Sequence, residues 1–135
     1  MEGNPMDAID WLAVLVATIS MFVLGALWYG PLFGKGWMRA SGITEEKARQ
    51  ANMAKVFGLS FVLTLLAAFA LEMFIGAEAT LGFGVFAGFM TGAFFVATAM
   101  GVVYLFEQRA FALWAIDSGY HIVGFTLMGA ILGAW

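Results

Sequence analysis

Residues 11–34 read WLAVLVATISMFVLGALWYGPLFG, and none of them is charged. A helix rises about 1.5 Å per residue and the hydrocarbon core of a bilayer is about 30 Å thick, so about 20 apolar residues cross it. This run is long enough. It is also typical of the chain, in which 63% of the 135 residues are hydrophobic and 11% are charged. A soluble domain carries about 25% charged residues, and a chain this short has too little interior to hide so much apolar surface from water. The sequence therefore specifies a membrane protein, with a length that suits one domain covering 1–135.

Charged residues mark the other boundaries. A second apolar span runs over 56–75 and is broken by Glu72. A third runs over 79–106, and a fourth over 110–135, broken by Asp117 and His121. The expected fold is all-α: a polytopic bundle of four transmembrane helices at about residues 9–30, 45–75, 79–106 and 110–135. Pro31 is expected to end the first helix, because it has no N–H and its ring clashes with the preceding turn. The connection over about 31–44 alternates apolar and basic residues around glycines. That suits a chain lying in the headgroup layer with Phe33, Trp37 and Met38 dipping inward. Thr44 is a good N-cap, and Glu45 and Glu46 suit the positive end of a helix dipole. The second helix is thus expected to begin in water near Glu45 and to run on into the membrane.

Orientation follows from the basic residues, which favour the cytoplasmic side. Lys35, Arg39, Lys47, Arg49 and Lys55 lie between the first two spans or at the edge of the second, and Arg109 lies in the link FEQRA, residues 106–110. With four spans these loops share a side, which makes 31–44 a cytoplasmic loop. Both termini then face the non-cytoplasmic side, with Glu2, Asp7, Asp10 and Glu78. Trp11 and Trp135 fall at the outer ends of spans and Trp28, Trp37 and Trp114 near the inner ends, as interface-seeking rings should. The start, MEGNPMDAIDW, is acidic where a signal peptide is basic, and no small-residue cleavage site follows the first apolar run, so that run is expected to be a retained helix.

Composition also limits the chemistry. The chain has no cysteine, which excludes disulfides, thiolate metal sites and cysteine nucleophiles. The net charge of −3 and the lack of a large basic patch argue against nucleic acid as a partner. One histidine does not make a metal site alone, and bis-histidine haem ligation would need two copies of the chain. No metal or cofactor is expected. No nucleophile elbow, phosphate loop or HExxH is present, which argues against an enzyme.

Two patterns remain. Gly84, Gly88 and Gly92 are spaced by four, as are Gly129 and Gly133, and Ala93, Ala97 and Gly101 continue a small-residue face. Such faces let helix backbones approach closely, either within the four-helix unit or between copies. The second pattern is polar. Asp117 and His121 are four apart and share a helix face, which Gly124 and Met128 continue, so the two can interact directly. An ionisable group at this depth costs about 2.5–3.5 kcal/mol to insert, so the pair is expected to face the bundle interior. Ser20 and Thr18, Ser60 and Thr64, and Thr98 bring hydroxyls from the other three helices to the same slab. This is either a polar site or proton path, or a cluster that fixes helix register, since membrane hydroxyls often bond their own backbone. Glu72 is expected to snorkel outward or to meet rings at headgroup level. Arg109 is expected to set topology and touch lipid headgroups.

The stretch LGALWYGPLFGKGWMRASGITEEKARQANMAKVFGLSFV (24–62), with the ending GYHIVGFTLMGAILGAW (119–135), resembles a bacterial family of small membrane proteins, domain of unknown function number 1761. The likeness covers nearly the whole chain. Its most specific parts are WYGPLFGKGW (28–37), the pattern Ala51, Asn52 and Lys55, and GYH (119–121). The resemblance implies four helices in a bacterial cytoplasmic membrane. It also implies that asparagine is common at position 117, which gives weight to a hydrogen-bonding role there. It implies no activity, ligand or catalytic residue.

The leading functional expectation is a small inner-membrane protein acting as an oligomeric channel or transporter, with an intramembrane polar site formed by Asp117, His121, Ser60, Thr64, Thr98 and Ser20. The alternative is an accessory or scaffold subunit of a larger membrane complex. A third reading is a lipid-handling enzyme built on Asp117 and His121. The partners expected are the lipid bilayer and either further copies of the chain or the other subunits of a complex.

Overall fold

The computed structural model describes residues 9–76 and 79–135; Glu2, Asp7 and Glu78, part of the acidic signature used for orientation, lie outside them. The chain forms α1 (Trp11–Leu27), α2 (Gly34–Ser41), α3 (Glu45–Gln50), α4 (Met53–Ile75), α5 (Leu81–Met90), α6 (Ala97–Phe106) and α7 (Phe111–Ala134). A π-helical turn, Trp28–Leu32, extends α1, and another, Thr91–Val96, joins α5 to α6. The result is an all-helical bundle with four helices long and apolar enough to cross a membrane: Trp11–Leu32, Met53–Ile75, Leu81–Phe106 and Phe111–Ala134. Its outward face matches that reading. Phe74 and Phe106 are 82% and 86% exposed, which water would penalise and lipid does not.

Local chemistry sets the helix ends. Asp10 caps α1 by accepting from the N–H groups of Leu12 and Ala13 at 3.0 and 3.1 Å. Thr80 caps α5 through Phe83 N–H at 3.2 Å. Thr44 caps α3 through Lys47 N–H at 3.1 Å, the role expected for it. Three boundaries differ from expectation. Pro31 does not stop the first helix but lies inside the π turn, whose wider spacing absorbs the missing N–H and the ring. The segment after it is not a loop but the helix α2, closed at Gly42 in the left-handed region (φ 77°). The expected helix over 45–75 is broken at Ala51 and Asn52. Ala51 is extended (ψ 146°), and Asn52 starts a new helix by accepting from Lys55 N–H at 3.1 Å. Asparagine competes for backbone bonds in this way, which favours caps over helix interiors.

The central helix is α7, which packs against α1, α4, α5 and α6. Its closest partner is α5, and the glycines explain why. A methyl at Gly88 would collide with the carbonyl of Phe125, and one at Gly84 with Gly129 and with the Cα of Gly133 at 2.9 Å. Gly92 lies equally close to His121 and Ile122. The small-residue faces of α5 and α7 are therefore used against each other within one chain, where dispersion between backbones does the work that water does for soluble cores. Beyond Gly92 the buried position is Ala97, five residues on rather than four, because the π turn bonds Ala97 N–H to Gly92 C=O.

The core occupies one end of the bundle. Ala13, Val14, Ala17 and Met21 form a stripe on α1 that meets Ala68, Leu71 and Ile75 of α4 and Phe125, Met128 and Leu132 of α7. At this end Trp11 stacks on Phe69 with centroids 5.5 Å apart. Glu72, expected to snorkel outward or to meet rings at headgroup level, does not snorkel outward. It is 6% exposed and its Oε2 accepts from Asp10 N–H at 3.3 Å, because the start of α1 lies over the last turn of α4 and offers a donor with no partner inside its own helix. At the other end α4 leaves the bundle: Val56, Phe57, Leu59, Val62 and Leu63 are exposed. That divergence opens a cleft.

The glycine contact gives a direct test. Gly88→Ala should destabilise the protein by about 1–3 kcal/mol through overpacking, read as a lower midpoint in unfolding from mild detergent into dodecyl sulfate. Gly58→Ala, where nothing lies within 4 Å of the added methyl, should leave the midpoint unchanged or raise it.

Candidate functional site

The cleft has a volume of about 850 Å³ and lies between α1, α4, α6 and α7 at the end where α4 diverges. Its walls are mostly apolar, from Met21, Phe22, Phe57, Leu63 and Met100 among others. Polar groups converge on one side: Asp117, His121, Tyr29, Tyr104 and Tyr120, with Ser60 and Thr64 on the facing helix.

Asp117 is the centre of this arrangement. It is 9% exposed, and both carboxylate oxygens are held. Tyr29 donates its O–H to Oδ1 at 2.8 Å, and Tyr104 donates to Oδ2 at 2.7 Å. Both are ordinary lengths for O–H···O hydrogen bonds. Among the described residues no lysine or arginine forms an ion pair with Asp117. Arg109 reaches it only indirectly: its guanidinium lies 5.4 Å from the centre of the Tyr104 ring and pairs with Glu107 at 3.5 Å.

The segment WYGPLFGKGW builds much of the site. Trp28 donates its indole N–H to the Ile116 carbonyl at 2.9 Å, one residue before Asp117, and its ring covers Gly119. Tyr29 reaches the carboxylate from the π turn. Gly34 must lack a side chain, since a methyl there would lie 2.6 Å from the Tyr29 carbonyl oxygen; this lets α2 fold back sharply. Trp37 then returns to the cleft and meets Tyr29 edge-on at 5.9 Å. The segment GYH supplies the opposite side. Tyr120 bonds the Met21 carbonyl at 2.9 Å and packs on Tyr29 at 5.3 Å. On α6, Gly101 lies under Trp114, whose indole N–H donates to the Ala97 carbonyl at 2.9 Å.

The residues read from the sequence divide into two groups. The structure brings Asp117, His121, Ser60 and Thr64 to one cleft. It does not bring Ser20 or Thr98 there. Ser20 bonds the Ala17 carbonyl at 2.6 Å, and Thr98 is exposed and bonds the carbonyls of Phe94 and Phe95 at 2.8 and 3.1 Å. Thr18 is buried on Val14 C=O at 2.8 Å. A hydroxyl at the right depth can turn back onto its own helix, and these three do. Asp117 and His121 are neighbours on one face, but the hydrogen bonds of Asp117 go to the two tyrosines. His121 packs beside Tyr120 and Phe125, at 5.0 and 6.3 Å between ring centres, and its Nδ1 is buried without a hydrogen-bond partner among the described residues. Depth along a helix does not point to the tyrosines, because a phenol carries its hydroxyl far from its own Cα. Their signal was present: the chain has three tyrosines, and all of them border the cleft.

A family model described as a protein of unknown function (DUF1761) matches residues 12–133. No curated protein and no solved structure matches the chain.

Tyr29→Phe and Tyr104→Phe should each cost about 0.5–2 kcal/mol of stability, the range of hydrogen bonds between membrane helices. Because both bonds end on one carboxylate, the double variant should depart from additivity by about 0.5 kcal/mol or more. A double-mutant cycle in the same dodecyl sulfate unfolding assay measures this; strictly additive losses would mean that the phenols do not share Asp117.

Proposed function

The chain belongs to the family described as protein of unknown function (DUF1761), and from that premise we propose that it is a small multi-pass membrane transporter or channel whose substrate site is the cleft around Asp117 and His121. The observation that carries this reading is the cleft itself, where a buried carboxylate held by two phenols faces about 850 Å³ of open volume. A polar cluster that only locked helices would be expected to close on itself. Here the polar groups border space, and ionisable residues within membrane helices mark substrate or ion paths by default. The volume also lies within the roughly 300–1,000 Å³ of small-molecule sites. Ser60 and Thr64 belong to this reading as residues of the far wall, carried by the helix that diverges from the bundle. The glycine faces of α5 and α7 are engaged inside one chain, so they add nothing to the case for self-association.

Flux into proteoliposomes tests the reading. Across a panel of small solutes, the wild type should move at least one at a rate that Asp117→Asn and His121→Ala reduce tenfold or more. Thr98→Ala, which changes a side chain outside the cleft, should keep the wild-type rate. Equal rates for all four proteins would remove Asp117 and His121 from any transport role.

The proposed orientation places α2, α3 and Arg109 in the cytoplasm of a bacterial cell, with the cleft at that end of the bundle. Because the chain has no cysteine, single-cysteine variants report on it cleanly. A membrane-impermeant maleimide added to intact spheroplasts should label Glu2→Cys and leave Lys47→Cys and Arg109→Cys unlabelled until the cells are broken.

A further inference from the structure

We infer that the ligand of this cleft is a lipophilic organic cation, a positively charged centre carried on apolar or aromatic groups. The inference rests on the cleft being a substrate site, and adds the charge and surface of what fits there. Asp117 carries the first argument. A carboxylate offers about four acceptor positions, and Tyr29 and Tyr104 use one on each oxygen. The remaining positions belong to a group 9% exposed, with no lysine or arginine paired to it among the described residues and none lining the cleft. Phenols donate hydrogen bonds to a carboxylate but bring no positive charge to it. A cation in the cleft completes the pair, whereas an anionic ligand would meet Asp117 as a like charge.

The walls carry the second argument. Tyr29, Trp37, Tyr104 and Tyr120 all border the cleft, and Tyr29 packs on both Trp37 and Tyr120 at 5.9 and 5.3 Å. Aromatic rings around a desolvated cation attract it through their quadrupoles, and quaternary ammonium sites are built in this way. Tyr104 already holds a cation on its ring in this structure, the Arg109 guanidinium at 5.4 Å. The rest of the lining, including Met21, Phe22, Phe57, Leu63 and Met100, suits apolar substituents rather than a hydrated ion. A small inorganic cation would leave most of this surface unused.

Tetraphenylphosphonium and tetraphenylborate share a shape and differ in the sign of their charge. Binding of each to the purified full chain in detergent can be followed by tryptophan quenching, since Trp37 borders the cleft. The wild type should bind the phosphonium at least tenfold tighter than the borate. Asp117→Asn should weaken phosphonium binding tenfold or more and narrow the difference between the two ions. Ser60→Trp, on the diverging part of α4 where added bulk meets no core, should abolish binding of both. Equal affinity for the two ions in the wild type, or unchanged phosphonium affinity in monodisperse, helical Asp117→Asn, would overturn the cation assignment and leave the cleft standing as a site. Binding that ignores Ser60→Trp would place the ion elsewhere and overturn the assignment too. Binding of neither ion by the wild type would count against both the cation and the cleft. If Asp117→Asn does not fold, the comparison of the two ions on the wild type decides the question alone.

Discussion

A carboxylate inside a membrane bundle must be supplied with donors by the protein, because lipid supplies none. Asp117 receives them from Tyr29 on the first span and Tyr104 on the third, while lying on the fourth. One acidic side chain thereby ties three of the four spans together at the end where the apolar core is absent. Much else follows from this requirement. The π turn around Pro31 delivers Tyr29, the glycine at 34 lets the chain double back so that Trp37 supports Tyr29, and Trp28 anchors the turn to the residue before Asp117. Of the four spans, only the one formed by α4 makes no hydrogen bond to this cluster among the described residues, and its first half is the part that leaves the bundle.

The two ends of the molecule are held by different physics. At the end with Ile9 and Ile75, close packing of small and apolar side chains dominates, with Glu72 tied to the backbone of Asp10 as its main polar contact. At the other end, aromatic side chains bond across helices to carbonyls and to one carboxylate, and packing is loose enough to leave a cleft.

The four spans were legible because a bilayer imposes a length and excludes charge, and both can be counted in a sequence. The glycine spacing of α5 and α7 was legible for a similar reason, since periodicity survives without coordinates. What composition does not encode is where the helix period changes. Pro31 reads as a stop, yet a π turn carries the helix past it; Asn52 sits in what reads as continuous helix, yet its side chain bonds the backbone and starts a new one. The site was half legible. Asp117 and His121 stand out as ionisable residues in an apolar segment, and Ser60 and Thr64 line the same cleft. Thr98 and Ser20 had equal claim by depth but turn to their own helices, and the phenols of Tyr29 and Tyr104 reach a carboxylate that no linear spacing connects to them.

The π turn at Thr91–Val96 has a geometric consequence for that reach. An α-helix advances about 100° per residue, so one additional residue in a turn rotates everything after it by about that angle. The segment before the turn points its glycines at α7; the segment after it points Ala97, Gly101 and Tyr104 at the same neighbour. With uniform α-geometry from Leu81 to Phe106, a helix keeping its glycine contact would turn Tyr104 away from Asp117 by about a quarter of a revolution. The third span is therefore two phased rods joined by an angular offset, and the partner of the buried acid is selected by the length of a turn more than two helical turns away.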